Sequence, residues 1–159
     1  MTGGAILVTM PGFSHTLEVA APPGRVFAIL DDVGRTPEWL SRCSGVEKLD
    51  AGPNTVGTRL LYLHGEGRRI GQMDGRITAY EPDEHMAMVY TDRMMEVGVD
   101  FVVRPGASES STSLTHTLDI GTKGVGRLFT PFISRRLPHQ TVEAMQRLKG
   151  IAEGEAQAH

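Results

Sequence analysis

The residues of this sequence best suited to chemistry sit in runs whose alternation decides which way they point. In Ser110 to Ile120 (SSTSLTHTLDI), Leu114, His116, Leu118 and Ile120 alternate with Ser113, Thr115, Thr117 and Asp119. That is the period of a half-buried strand, so His116 travels with the apolar set to the inner face. An inward imidazole among apolar neighbours can donate a hydrogen bond to a ligand carbonyl, or act as a general acid or base. It can equally be a structural histidine satisfied by Tyr62, Tyr90 or a backbone group. His64 joins it if the strand Gly57 to His64 (GTRLLYLH) turns that way, and is otherwise a turn residue. Asp74, Asp92 and Asp100 have no partner in the pattern that would make one of them catalytic.

Other chemistries find no foothold. The six histidines are scattered and Cys43 is the only cysteine, so no zinc-ligand spacing exists. There is no GxSxG elbow, phosphate-binding loop or dinucleotide fingerprint; Gly65-x-Gly67 and Gly124-x-Gly126 fall in turns. The sequence therefore calls for no metal and no cofactor. A formal net charge of −3 argues against nucleic acid or an anionic membrane surface as the main partner. Arg68-Arg69 and Arg135-Arg136 read as solvated pairs. Met1 to Thr9 lacks the charged and apolar regions of a secretory signal, and no run approaches the roughly 20 apolar residues of a membrane span, so no stable membrane insertion is expected. With a lone cysteine, a reduced compartment and a cytoplasmic location are the expectation.

Those residues must be positioned by a small number of elements. Phe13, His15, Leu17 and Val19 alternate with polar neighbours before Pro22-Pro23 ends the strand. Val26, Ile29 and Leu30 recur at helical spacing, and Asp31-Asp32 with Gly34 breaks that helix. Thr36-Pro37-Glu38-Trp39-Leu40 reads as a second short helix with Thr36 as N-cap and Pro37 at its first position. From about residue 46 to 121 only strands and tight turns follow, which predicts an antiparallel meander. Phe129, Ile133, Leu137, Thr141, Ala144 or Met145, and Leu148 then share one helical face, with Arg135, Arg136, Gln140, Glu143 and Arg147 on the other. A helix from Pro131 to Glu153 would be roughly 35 Å long. Pro138 interrupts its pattern and should kink it.

This order and its local wording resemble the SRPBCC superfamily, the START-like, polyketide cyclase/dehydrase-like and birch-pollen-allergen-like proteins. The resemblance rests on Leu17 to Leu30, Pro37-Glu38-Trp39, Val56-Gly57-Thr58-Arg59, Gly75-Arg76-Ile77-Thr78-Ala79-Tyr80-Glu81-Pro82 and Leu148-Lys149. It implies an α+β helix-grip fold: a curved antiparallel sheet of about seven strands wrapped around a long C-terminal helix, with two short helices after the first strand. Residues 12–154 would form this domain, 1–11 an N-terminal extension and 155–159 a frayed tail.

A helix-grip protein holds its ligand between the concave sheet and the long helix, and strand parity nominates the lining. Leu60 and Tyr62 face in if Arg59 faces out; Met88, Tyr90, Val99, Phe101 and Val103 follow from their own alternation, and Met73 joins them as an adaptable thioether that suits an apolar pocket. Leu114, His116 and Leu118 complete the sheet face, while Phe129, Ile133 and Leu137 would close the space from the helix. Any of these side chains can instead be ordinary core. Trp39 either packs at the cavity mouth or anchors the second helix.

The expected partner is a small hydrophobic molecule such as a lipid, an isoprenoid or a polyketide-like aromatic, bound or carried without reaction. The alternatives are a polyketide aromatase/cyclase or dehydratase-like enzyme, in which His116 with Tyr62 or Tyr90 would transfer protons, and a co-chaperone-like interaction module.

Overall fold

The computed structural model describes residues 8–9, 12–66 and 68–157; the side chains of residues 8, 9, 66, 69, 126, 127, 129, 130, 132–134 and 137 lie outside that description. Strand β2 (Phe13–Val19) leads through Pro22 into helix α1 (Pro23–Asp31), whose first free amides, Arg25 and Val26, donate to the Pro22 carbonyl. A 3₁₀ turn (Val33–Arg35) runs directly into the four-residue helix α2 (Thr36–Trp39). Strands β3 (Cys43–Lys48), β4 (Arg59–Glu66), β5 (Arg69–Glu81), β6 (His85–Thr91), β7 (Met95–Pro105) and β8 (Thr112–Thr122) follow. Helix α3 (Thr130–Gln157) ends the description, with Pro138 inside it.

Each strand from β3 to β8 pairs antiparallel with the next, as the meander pattern predicts. The first strand returns to the far edge, β2 pairing with β8 over Phe13↔Leu118 to Val19↔Thr112. Val8–Thr9, in the segment expected as an extension, forms strand β1 and continues along the same edge of β8. Register shifts between Cys43 and Gly45, and between Ile77 and Ala79, mark bulges of the kind that bend a sheet. The result is the helix-grip arrangement, a curved sheet around the C-terminal helix.

Two local expectations change. Thr36 does not cap α2: the preceding 3₁₀ turn leaves it helical (φ −50°, ψ −41°), and its hydroxyl donates back to the Val33 carbonyl. The end of the helix also lies beyond Gly154. The helix continues to Gln157, and Glu155 accepts a 2.5 Å bond from Arg35 at the α2 junction.

The core is unevenly filled along the strands. At one end α1 and the second half of α3 pack onto the sheet, burying Val26, Ile29, Leu60, Ile77, Met86, Leu114, Met145 and Leu148 almost completely. At the other end, where β4 meets β5 and β6 meets β7, α2 is the short element that reaches across. A single turn of helix cannot fill the space that α1 fills at the opposite end, and a hollow remains.

Candidate functional site

The hollow is a cavity of about 660 Å³. Its boundary crosses the sheet from strand to strand. On β4 the division falls between Leu60, packed, and Tyr62, in the wall; on β6 it falls between Met86 and Met88, and on β8 between Leu114 and His116. Of the side chains nominated by parity, Tyr62, Met73, Met88, Tyr90, Val99, Phe101, His116 and Leu118 border the cavity. Leu60, Val103 and Leu114 face the same way but sit in the solid core, 0%, 3% and 0% exposed, because they lie at the α1-packed end of their strands. Phe129, Ile133 and Leu137 fall outside the described side chains.

The uncertain register of β4 is settled by its partners. Tyr62 pairs with Met73 and Leu60 with Gly75, so both point inward, and His64 borders the cavity with Tyr62. Gly75 is needed there: a Cβ would lie 2.4 Å from the Tyr90 ring.

Two aromatic groups line the wall. Tyr62 contacts Tyr90 at a centroid distance of 5.0 Å and His64 at 5.9 Å. On the other side the His116 ring stacks on Phe101 at 4.4 Å and 12°, and Trp39 meets Phe101 edge-on at 5.8 Å. Trp39 thus does both things considered for it, anchoring α2 and lining the cavity.

The polar atoms within this wall differ in how they are satisfied. Burial pushes the Tyr62 and Tyr90 phenols well above their ordinary range. Tyr90 donates to the Met88 sulfur at 3.0 Å, and burial pushes up the thiol of buried Cys43. Neither tyrosine bonds His116. Both ring nitrogens of His116, and Nε1 of Trp39, are buried without a hydrogen-bond partner among the described residues. Burial holds the imidazole down to about 4, partly opposed by the Asp100 charge, and so neutral. A neutral imidazole has one donor and one acceptor to offer.

Strand parity carries no signal for the layer that closes the cavity from outside the sheet. Leu30, Val33, Leu40 and Arg42 come from the α1–β3 segment, and Arg136 and Gln140 from α3. Helical spacing alone puts both α3 residues on the solvent face. They form one i, i+4 ridge with Ala144, beside the buried stripe of Thr141, Met145 and Leu148, and so border the opening. The turn residues Asp92 and Met94 complete the rim; Asp92 Oδ1 accepts the amides of Met94 and Met95 at 2.7 and 2.9 Å.

Among the described residues no group of three or more His, Cys, Asp or Glu side chains could hold a metal, and no helix is long and apolar enough to cross a membrane.

A curved sheet gripping a helix around a largely apolar cavity defines the class: START-like proteins of the helix-grip type. More specifically, the chain belongs to the family described as polyketide cyclase / dehydrase and lipid transport, whose model matches residues 10–153. Among solved structures it is similar to the Zhui aromatase/cyclase from Streptomyces sp. R1128, with a TM-score of 0.74 and 18% identity over 90% of this chain and 93% of that one. It is also similar to a START superfamily protein from Mycobacterium smegmatis (TM-score 0.67, 19% identity, 92% and 97% covered). A protein from Thermus thermophilus matches with a TM-score of 0.73 at 13% identity, covering 92% and 99%. At such identities these likenesses speak for the fold alone. No curated protein sequence matches the chain.

Proposed function

We propose that this protein binds and carries a small, mostly apolar molecule, such as a lipid, an isoprenoid or a polyketide-like aromatic, in the cavity between sheet and helix. The observation that carries this reading is a cavity of about 660 Å³ walled by aromatic, methionine and aliphatic side chains. Sites for small molecules typically enclose about 300–1,000 Å³ with few convergent polar groups. Met73, Met88, Met94 and Met95 add flexible thioethers that adapt to ligands of different outline. His116 supplies a buried polar group of the sheet wall that has no hydrogen-bond partner among the described residues.

A second reading is supported by the same histidine. In an aromatase/cyclase or dehydratase-like enzyme, an unpartnered imidazole facing an enclosed reactive chain would transfer protons. Two features favour binding instead. An imidazole held near 4 is a weak base at neutral pH, since general-base efficiency is greatest with a pKa near the working pH. Of the two phenols that would share the proton, that of Tyr90 is engaged with the Met88 sulfur.

Trp39 is the only tryptophan and borders the cavity, so its emission reads occupancy directly. Titration with a panel of fatty acids, isoprenoids and polycyclic aromatics should change that emission saturably for at least one class. Native mass spectrometry should then show a one-to-one complex. If the whole panel leaves Trp39 emission unchanged, the binding reading fails. If a poly-β-ketone substrate is turned over and His116→Ala abolishes turnover without weakening binding, the enzymatic reading replaces it.

A further inference from the structure

We propose that Trp39 and His116 form one hydrogen-bonding subsite around Phe101, which selects ligands carrying an acceptor oxygen, a ketone above all, on an otherwise apolar body. This rests on the binding reading above and names the polar group that the cavity takes.

Among the described residues, five buried side-chain nitrogen or oxygen atoms have no hydrogen-bond partner: His15 Nε2, Trp39 Nε1, Asn54 Oδ1 and both ring nitrogens of His116. Four of the five belong to one neighbourhood. His116 stacks on Phe101 at 4.4 Å, Trp39 meets the same ring edge-on at 5.8 Å, and His15 is the cross-strand partner of His116. Asn54 stands apart, its amide nitrogen donating to Asp31 at the end of α1. Most buried polar side-chain atoms in proteins are satisfied, so a cluster of exceptions asks for a common cause. Trp39 and His116 are 6% and 3% exposed and both border the cavity, so a molecule filling it lies against both rings.

The two residues differ in what they offer. An indole nitrogen only donates, whereas a neutral imidazole carries one donor and one acceptor, on whichever nitrogen suits. A carbonyl oxygen has two lone pairs and can accept from both N–H groups at once. A hydrocarbon of the same outline leaves both nitrogens bare. A carboxylate would bring its charge among buried lining residues that include no arginine or lysine, and would lose its hydration there.

The test compares probes of one outline that differ only in C=O against C=CH2: 2-acetylnaphthalene against 2-isopropenylnaphthalene, and pentadecan-2-one against 2-methylpentadec-1-ene. Calorimetry gives the affinities. Trp39 is the only tryptophan, so the nitrogen-15-labelled protein has one indole N–H resonance to follow. Each ketone should bind about tenfold more tightly than its alkene. Only the ketones should move the indole proton downfield, and the aliphatic pair shows this without a ligand ring current. Trp39→Phe keeps an aromatic ring against Phe101 and removes the N–H, so the ketone-to-alkene ratio should fall about threefold or more. Equal affinities within both pairs overturn the subsite and leave the binding reading standing. If no probe binds, the binding reading is overturned and the subsite with it. A ketone preference that Trp39→Phe keeps in full, or that comes with the same indole shift for the aliphatic ketone and alkene, shows that the oxygen is met elsewhere and the assignment of Trp39 is wrong.

Discussion

The imidazole of His116 lies flat on the Phe101 ring, centroids 4.4 Å apart and planes 12° from parallel, with neither nitrogen hydrogen-bonded among the described residues. The two residues face each other across β7 and β8, so the stack is set by strand register. A buried polar group without partners costs about 1–3 kcal/mol. No protein group among the described residues offsets that cost, and a ligand with a matching polar group would.

His116→Leu should therefore stabilise the ligand-free protein by about 1 kcal/mol, since an apolar side chain of similar size removes the unsatisfied nitrogens. The same variant should weaken binding of ligands with an inner carbonyl or hydroxyl by about tenfold. Urea unfolding and Trp39 titration measure the two effects. A variant less stable than the parent would show that the ring contributes more through its stack on Phe101 than its bare nitrogens cost.

The pH dependence of stability should carry the signature of His116. Its folded-state pKa is pushed down to about 4 from 6.5 by burial, with half-buried His15 across β2–β8 pushing the same way and Asp100 opposing. Between those values the unfolded chain binds more protons, so stability is full above pH 6.5 and is lost as pH falls toward 4. One proton over the window from pH 6.5 to 5 amounts to about 2 kcal/mol. Glu38, Asp50 and Glu153, held low by hydrogen bonds with Arg35, Arg59 and the Ala20 amide, lose stability only at lower pH. His116→Leu should flatten the 6.5-to-5 window in urea melts; a slope equal to the parent's would remove His116 as its source.

Arg35 ties the end of α3 to the α2 junction, bonding Glu38 through two 3.0 Å contacts and Glu155 at 2.5 Å. These side chains are partly exposed, so the Arg35–Glu155 coupling should be about 0.5–1 kcal/mol in a double-mutant cycle with Arg35→Gln and Glu155→Gln. Hydrogen exchange should show residues 155–157 opening first in either variant.

Gly75→Ala should cost about 1–3 kcal/mol and narrow the cavity, because the new methyl would strike the buried Tyr90 ring. Gly71→Ala is the control. There the clash is with the His64 ring, which is half-buried and has room to swing away, so the change should cost less than half as much. Equal costs would show that the Tyr90 ring moves as freely as His64.

The sequence by itself determined the fold and the inward face. Alternation in β6, β7 and β8 correctly turned Met88, Tyr90, Phe101 and His116 toward the helix, because a side-chain period of two leaves one solution once one face is apolar. It also determined the buried stripe of α3 through Thr141, Ala144 and Leu148. Only the tertiary structure decided where along each strand packing stops and the hollow begins. Leu114 and His116 are two residues apart on one face of one strand, yet one is solid core and the other cavity wall. The difference is the length of what covers them, a nine-residue α1 at one end and a four-residue α2 at the other. The rim was illegible for the same reason. Arg42, Asp92 and Arg136 come from three separate segments, and nothing in local spacing brings them together.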